Sequence, residues 1–109
     1  MSKFLLLYRA PESAQAQLAN ATPAQVEEGA KAWQAWATKV QYALRDLGAP
    51  LSHTTHVGPG ESASDGVCGF SVVEAGSADE VETLLEGHPH FQMPGSSIEV
   101  LEFIPLGDM

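Results

Sequence analysis

Gly87-His88-Pro89-His90-Phe91, a short irregular run to Gly95, and then Ser97-Ile98-Glu99-Val100-Leu101-Glu102-Phe103-Ile104-Pro105-Leu106 form the stretch around which this chain is organised. Gly87 ends a helical pattern, and Pro89 pushes His88 toward extended backbone. Ile98, Val100 and Ile104 alternate with Leu101 and Phe103, which predicts a last strand running toward a Pro105-Leu106-Gly107 tail. Two histidines therefore fall between a helix end and a core strand. Ionisable groups at the mouth of an apolar layer are the usual material of a small-molecule site.

Working outward, Val67 to Ala75 is apolar on both faces and predicts a central strand. Ser77 and Glu80 form a capping box for a short helix striped by Ala78, Val81, Leu84 and Leu85. At the other end of the chain, Lys3 to Tyr8 is a continuous apolar run without helical spacing, hence a strand buried on both faces, with Arg9 at its carboxyl end. Ala10 to Asn20 reads as a connection with room for one helical turn. Thr22-Pro23-Ala24-Gln25 has the form of a helix start, with threonine as N-cap, proline at the first helical position and glutamine as capping-box partner. Val26, Ala30, Trp33, Ala37, Val40, Leu44 and Leu47 continue one stripe to a stop at Gly48 and Pro50. That predicts a dominant helix of about 25 residues, roughly 37 Å long. Leu51 to Val57 then reads as a polar strand, with Leu51, His53, Thr55 and Val57 on one face, and Gly58 to Gly66 as a surface loop.

The order strand, helix, strand, strand, helix, strand predicts an α+β domain of ferredoxin-like βαββαβ form. It is a four-stranded antiparallel sheet with both helices on one face, spanning residues 1–109 as a single domain. The other face has no cover within the chain, so a homodimer through that sheet face, a dimeric α+β barrel, is expected.

Composition narrows the partners. Fourteen acidic against five basic side chains, a net charge of −9, repel nucleic acid and anionic lipid alike. Every apolar run is too short to serve as a signal core or a membrane span. The single cysteine, Cys68, excludes an internal disulfide and reads as a small buried hydrophobe in a reducing, cytoplasmic setting. No phosphate loop, nucleophile elbow or Cys-x-x-Cys occurs, so no cofactor is expected.

Among candidate site residues, His88 and His90 could divide acid and base work or chelate a metal, but no third or fourth ligand has supporting spacing, so no metal is expected. His88 is otherwise a cap on the preceding helix and His90 a surface residue. Arg9 could hold a carboxylate or phosphate group, or pair with an acid at the surface. Tyr8 offers a phenol. His53 reads as a partly buried imidazole or a pocket group, Trp33 as core, and Trp36 as core or pocket wall. The start of the last strand lies beside the end of the first, which would bring His88 toward Tyr8 or Arg9 along the Trp33 helix.

Phe4-Leu5-Leu6-Leu7-Tyr8-Arg9, Ala32-Trp33-Gln34-Ala35-Trp36, Cys68-Gly69-Phe70-Ser71-Val72-Val73-Glu74-Ala75, Gly87-His88-Pro89-His90 and Ile98-Glu99-Val100-Leu101-Glu102 together resemble the YCII-related proteins. The resemblance is spread over nearly the whole chain. It implies a dimeric α+β barrel and an enzymatic role, otherwise undefined, that leans on a histidine and an aspartate, among relatives of muconolactone isomerase and chloromuconolactone dehalogenase fold. His88 matches the histidine-bearing run. A branch of the family has Asp-Gly-Pro-Phe where this chain has Asp65-Gly66-Val67-Cys68, matching at the first two residues. The function expected is a small cofactor-free enzyme acting by His88-assisted proton transfer on a small carbonyl, lactone or aromatic compound. The alternatives are a cofactor-independent monooxygenase and a non-catalytic metabolite-binding module.

Overall fold

A computed structural model describes residues 1–62 and 66–106, so Asp65 lies outside the described residues. Four strands, β1 (Ser2–Arg9), β2 (Leu44–Pro50), β3 (Val67–Ala75) and β4 (Ser97–Glu102), form one sheet in the order β2-β3-β1-β4. Every neighbouring pair is antiparallel. Helices α1 (Ala14–Asn20), α2 (Pro23–Lys39) and α3 (Ala78–Leu84) and a 3₁₀ turn over Pro89–Gln92 complete the domain. This is the expected ferredoxin-like α+β arrangement, with β1 and β3 central. Among the described residues no helix is long and apolar enough to cross a membrane.

Strand alternation sorts β1 into two faces. Phe4, Leu6 and Tyr8 are buried, and they meet Val73, Ser71 and Gly69 of β3 in register. Trp36 and Val40 from α2 and its end, and Val81 and Leu84 from α3, join the same core cluster. The Trp36 indole donates to the Leu84 carbonyl at 2.9 Å and ties the two helices together. On the other face stand Leu5, Leu7, Phe70, Val72 and Leu101, half-buried to exposed, with Thr55, His56 and Glu61 reaching over the Leu7 end.

The α2 start forms as its sequence dictates. Thr22 Oγ1 accepts from the Gln25 amide at 3.1 Å and the Gln25 side chain accepts from the Thr22 amide at 2.9 Å, with Pro23 first in the helix. Its end does not. The helix stops at Lys39, a turn closes through Ala43 N–H to Val40 O at 2.8 Å, and Leu44 and Leu47 belong to β2 rather than to the helical stripe. The exposed edge of β3 supplies partners that helical spacing cannot register: Leu44 pairs with Val73 and Ala49 with Phe70.

Gly48 is therefore not a helix stop. It lies where the β2–β3 register slips, at φ +80°, and a Cβ there would fall 1.7 Å from the Phe70 carbonyl oxygen, so only glycine fits. The strand expected at Leu51–Val57 is also corrected: β2 ends at Pro50, and 51–57 carries no regular structure and is exposed, with His53 in it. Proline has no amide proton for a ladder, which suits the end of an edge strand. The connection before α2 holds a full helix, α1, capped by Ser13 Oγ on the Ala16 amide at 3.1 Å.

Candidate active site

The sheet, the 3₁₀ turn and α2 converge on one buried polar cluster. Tyr8 stands on β1 opposite Gly69, where a Cβ would lie in ordinary contact with the phenol ring, 3.4 Å from Tyr8 Cδ2. The Tyr8 hydroxyl donates to Ser71 Oγ on β3 at 2.7 Å. Ser71 in turn donates to the Leu47 carbonyl on β2 at 2.6 Å. That carbonyl sits inside the register slip around Gly48. His88 Nε2 lies 3.2 Å from Tyr8 Oη, and the His90 amide donates to His88 Nδ1 at 3.0 Å.

Local sequence holds the imidazole in place. Gly87 takes φ +72°, a conformation that lets the chain leave α3 sharply. The His88 imidazole then caps the 3₁₀ turn that follows it, which Pro89 opens, while the His88 amide donates back to the Leu85 carbonyl at the end of α3 at 3.1 Å. Only 2% of His88, 3% of Tyr8 and 0% of Ser71 is exposed. The imidazole packs under two indoles, with ring centroids 4.7 Å from Trp33 and 4.3 Å from Trp36. Trp33 also meets Tyr8 edge-on at 5.0 Å. It is half-buried, at the border of the cluster rather than inside the core.

Electrostatics follow from this burial. Desolvation, aided by the neighbouring His90, holds the His88 pKa down at about 4 from an ordinary 6.5, so the ring is neutral near pH 7. Desolvation pushes the Tyr8 phenol up to about 12, against a smaller opposing effect of its bond with Ser71. Burial likewise raises the Cys68 thiol, in keeping with an unreactive core position.

The structure thus brings Tyr8, His88, His90 and Trp36 together and leaves Arg9 and His53 elsewhere. His90 is buried, and its Nε2 donates to the Arg9 and Ser97 carbonyls at 2.9 and 3.1 Å, clamping β1 to β4. The guanidinium of Arg9 is on the opposite sheet face from Tyr8, with Nε 3.2 Å from Glu99 Oε1. Residues next to each other on a strand face opposite ways, so Arg9 shares no rim with His88. There it borders a cavity of about 520 Å³ with Leu7, Thr55, His56, Glu61 and Val67. A second cavity of about 260 Å³ lies on the helix side. Trp36, Gly87 and Pro89 line it, so it reaches both chain neighbours of His88, with Ala32, Ala35 and Lys39 along α2. Among the described residues no group of three or more His, Cys, Asp or Glu side chains is placed to hold a metal ion.

Ser71 is the member of the cluster that the sequence reading passes over. The signal was present: a hydroxyl in the middle of a strand apolar on both faces needs a partner inside the protein.

No family model matches the chain, and no curated protein does. Among solved structures it is similar to 5-chloro-2-hydroxyhydroquinone dehydrochlorinase (TftG) from Burkholderia phenoliruptrix AC1100, determined in complex with 2,5-dihydroxybenzoquinone. The TM-score is 0.53 and the identity 23%, over 94% of this chain and 93% of that one. The likeness establishes the fold, a ferredoxin-like α+β domain over nearly the full length of both chains.

Proposed function

We propose that this chain is a small enzyme of the YCII-related kind, working without an organic cofactor or metal, whose His88 and Tyr8 assist proton transfer on a small ring compound bearing hydroxyl or carbonyl groups. The observation that carries this reading is the buried imidazole–phenol pair, roofed by Trp33 and Trp36. Trp36 also lines a cavity of about 260 Å³ that reaches Gly87 and Pro89 on either side of His88. Aromatic walls around a few convergent polar groups suit a flat, oxygenated ligand. The dihydroxybenzoquinone bound by TftG is of that class. A second copy covers the open sheet face; what supports this pairing is the apolar set Leu5, Leu7, Phe70, Val72 and Leu101 standing there. The lone Cys68 supports a cytoplasmic setting.

A second reading, a metabolite-binding module without turnover, is favoured by the closure of the cluster, since His88 is 2% exposed. The test is a thermal-shift and tryptophan-fluorescence screen of hydroxyquinones, catechols and lactones, with chromatography of each mixture for product. Binding with turnover, both lost in His88→Gln, supports the enzyme. Binding without product supports the module. Neither effect from any compound sinks the site.

A further inference from the structure

The hydrogen bonds of the cluster join end to end and cross four elements. They run from the His90 amide to His88 Nδ1, from His88 Nε2 to Tyr8 Oη, from Tyr8 to Ser71 Oγ, and from Ser71 to the Leu47 carbonyl. A backbone amide can only donate, and a backbone carbonyl can only accept. With an obligatory donor at one end and an obligatory acceptor at the other, each proton between them has one place. Ser71 must point its hydrogen at Leu47, so its lone pair takes the Tyr8 proton. The phenol oxygen is then left as an acceptor toward His88. At the far side of the ring, Nδ1 must keep its lone pair for the His90 amide.

We infer that the His90 amide, by claiming Nδ1, fixes His88 as the neutral Nε2–H tautomer, and that Ser71 is a positioning residue which, by taking the Tyr8 proton, turns the phenol lone pair toward Nε2, so that the site receives the oxygen of an enol, phenol or carbonyl ligand by donation from Nε2. This deepens the proposed function and rests on it for the ligand class. His88 in this state has no free lone pair with which to act as a base. It is a donor that stabilises negative charge developing on oxygen, a role open to an imidazole held neutral. At 3.2 Å the bond from Nε2 to Tyr8 is at the long end of its range, whereas those to Ser71 and Leu47, at 2.7 and 2.6 Å, are short. The Nε2–H is therefore the bond of the chain most readily shared with an arriving oxygen, and Trp33 is the half-buried ring over it.

The test needs no ligand. Long-range ¹⁵N–¹H correlation spectra of the full chain near neutral pH, with His88 assigned by its disappearance in His88→Gln, should show Nε2 protonated and Nδ1 bare. In Ser71→Ala the Tyr8 hydroxyl loses its acceptor and its lone pair is no longer held toward Nε2, so with the His90 amide still on Nδ1 the tautomer should stay while the Nε2–H proton resonance moves upfield. Ser71→Thr, which keeps the hydroxyl, should retain the wild-type Nε2–H shift. If Ser71→Ala does not fold, Ser71→Cys carries the same test, because a thiol fills the space but accepts weakly. Wild-type His88 protonated at Nδ1 or at both nitrogens would overturn the inference. So would an Nε2–H proton shift that is unchanged in the variant lacking the hydroxyl. A screen without any binder, by contrast, removes the functional reading and leaves these spectra standing.

Discussion

Replacing Tyr8 by phenylalanine deletes one oxygen while keeping the ring that packs on Trp33 and faces Gly69. Two buried hydrogen bonds disappear with it, the one donated to Ser71 at 2.7 Å and the one shared with His88 at 3.2 Å. Ser71 keeps its own bond to Leu47, so its loss is an incoming donor, about 1 kcal/mol. The Nε2–H of His88 is stranded inside a residue that is 2% exposed, which costs about 1–3 kcal/mol. The expected destabilisation is thus about 2–4 kcal/mol, within the roughly 5–15 kcal/mol available to a domain, so the variant should still fold. Urea unfolding followed by tryptophan fluorescence should show the midpoint falling by about 1–2 M with the slope unchanged. A loss below about 0.5 kcal/mol, the level of an ordinary surface change, would refute the reasoning. It would mean that water reaches the hydroxyl's partners as soon as the oxygen is gone, and that the cluster is not sealed.

Acid should act through His88. Its folded-state pKa of about 4 lies below the ordinary 6.5, so the unfolded chain takes up the proton first, and the stability that His88 contributes is lost as pH falls from 6.5 to about 4. The full effect is at most about 3 kcal/mol, and about 2 kcal/mol once solvent screening is allowed for. It is read as the change with pH in the stability difference between wild type and His88→Asn, whose amide oxygen can still cap the His90 amide; a difference that stays constant from neutral pH to the acid side refutes it. Gly48→Ala should lose about 2–4 kcal/mol in urea unfolding through backbone strain and the clash with Phe70 O. Gly29→Ala, on an open stretch of α2 where a Cβ meets nothing, should gain about 0.5–1 kcal/mol, and equal effects at the two glycines would discredit the register slip in β2. Sedimentation at low micromolar concentration should give a dimer burying about 1,600 Å² or more, and a clean 11.6 kDa species would rule out pairing through the sheet face.

Local rules of sequence carry far here where one element answers to one rule. The apolar runs at Phe4–Tyr8 and Val67–Val73 are strands because a central strand must be apolar on both sides, and Thr22-Pro23-Ala24-Gln25 starts a helix because its own side chains satisfy its first amides. The helix end was not legible for a physical reason. Val40, Leu44 and Leu47 keep helical spacing, yet Leu44 is claimed by Val73 across the sheet, and a tertiary pairing outweighs a periodicity worth a few tenths of a kcal/mol per residue. With that boundary displaced, Gly48 lies inside β2 instead of ending a helix, and the alternating pattern around His53 follows a strand that starts seven residues earlier in the chain. In the candidate site, His88 announced itself through Gly87 and Pro89. The choice between Tyr8 and Arg9 was already decided by strand alternation, since only one of two adjacent residues can face the helices. Ser71 signalled only that it needs a partner inside the protein; that the partner is a carbonyl on β2 is set by the folded register.

Helix α2 consists of two unequal halves, and this has a consequence for how the molecule breathes. From Pro23 to Lys31 every residue is exposed, whereas Trp36 and the Val40 cap are sunk in the core. A free helical segment this short is marginal in water, so its amides are held by the capping box and their own ladder alone. Deuterium uptake should therefore rise steeply along one continuous helix, fast before Lys31 and slow beyond Trp33, with the change of regime inside a single turn. A trypsin-like protease should find Lys31 in the native protein while the core remains closed.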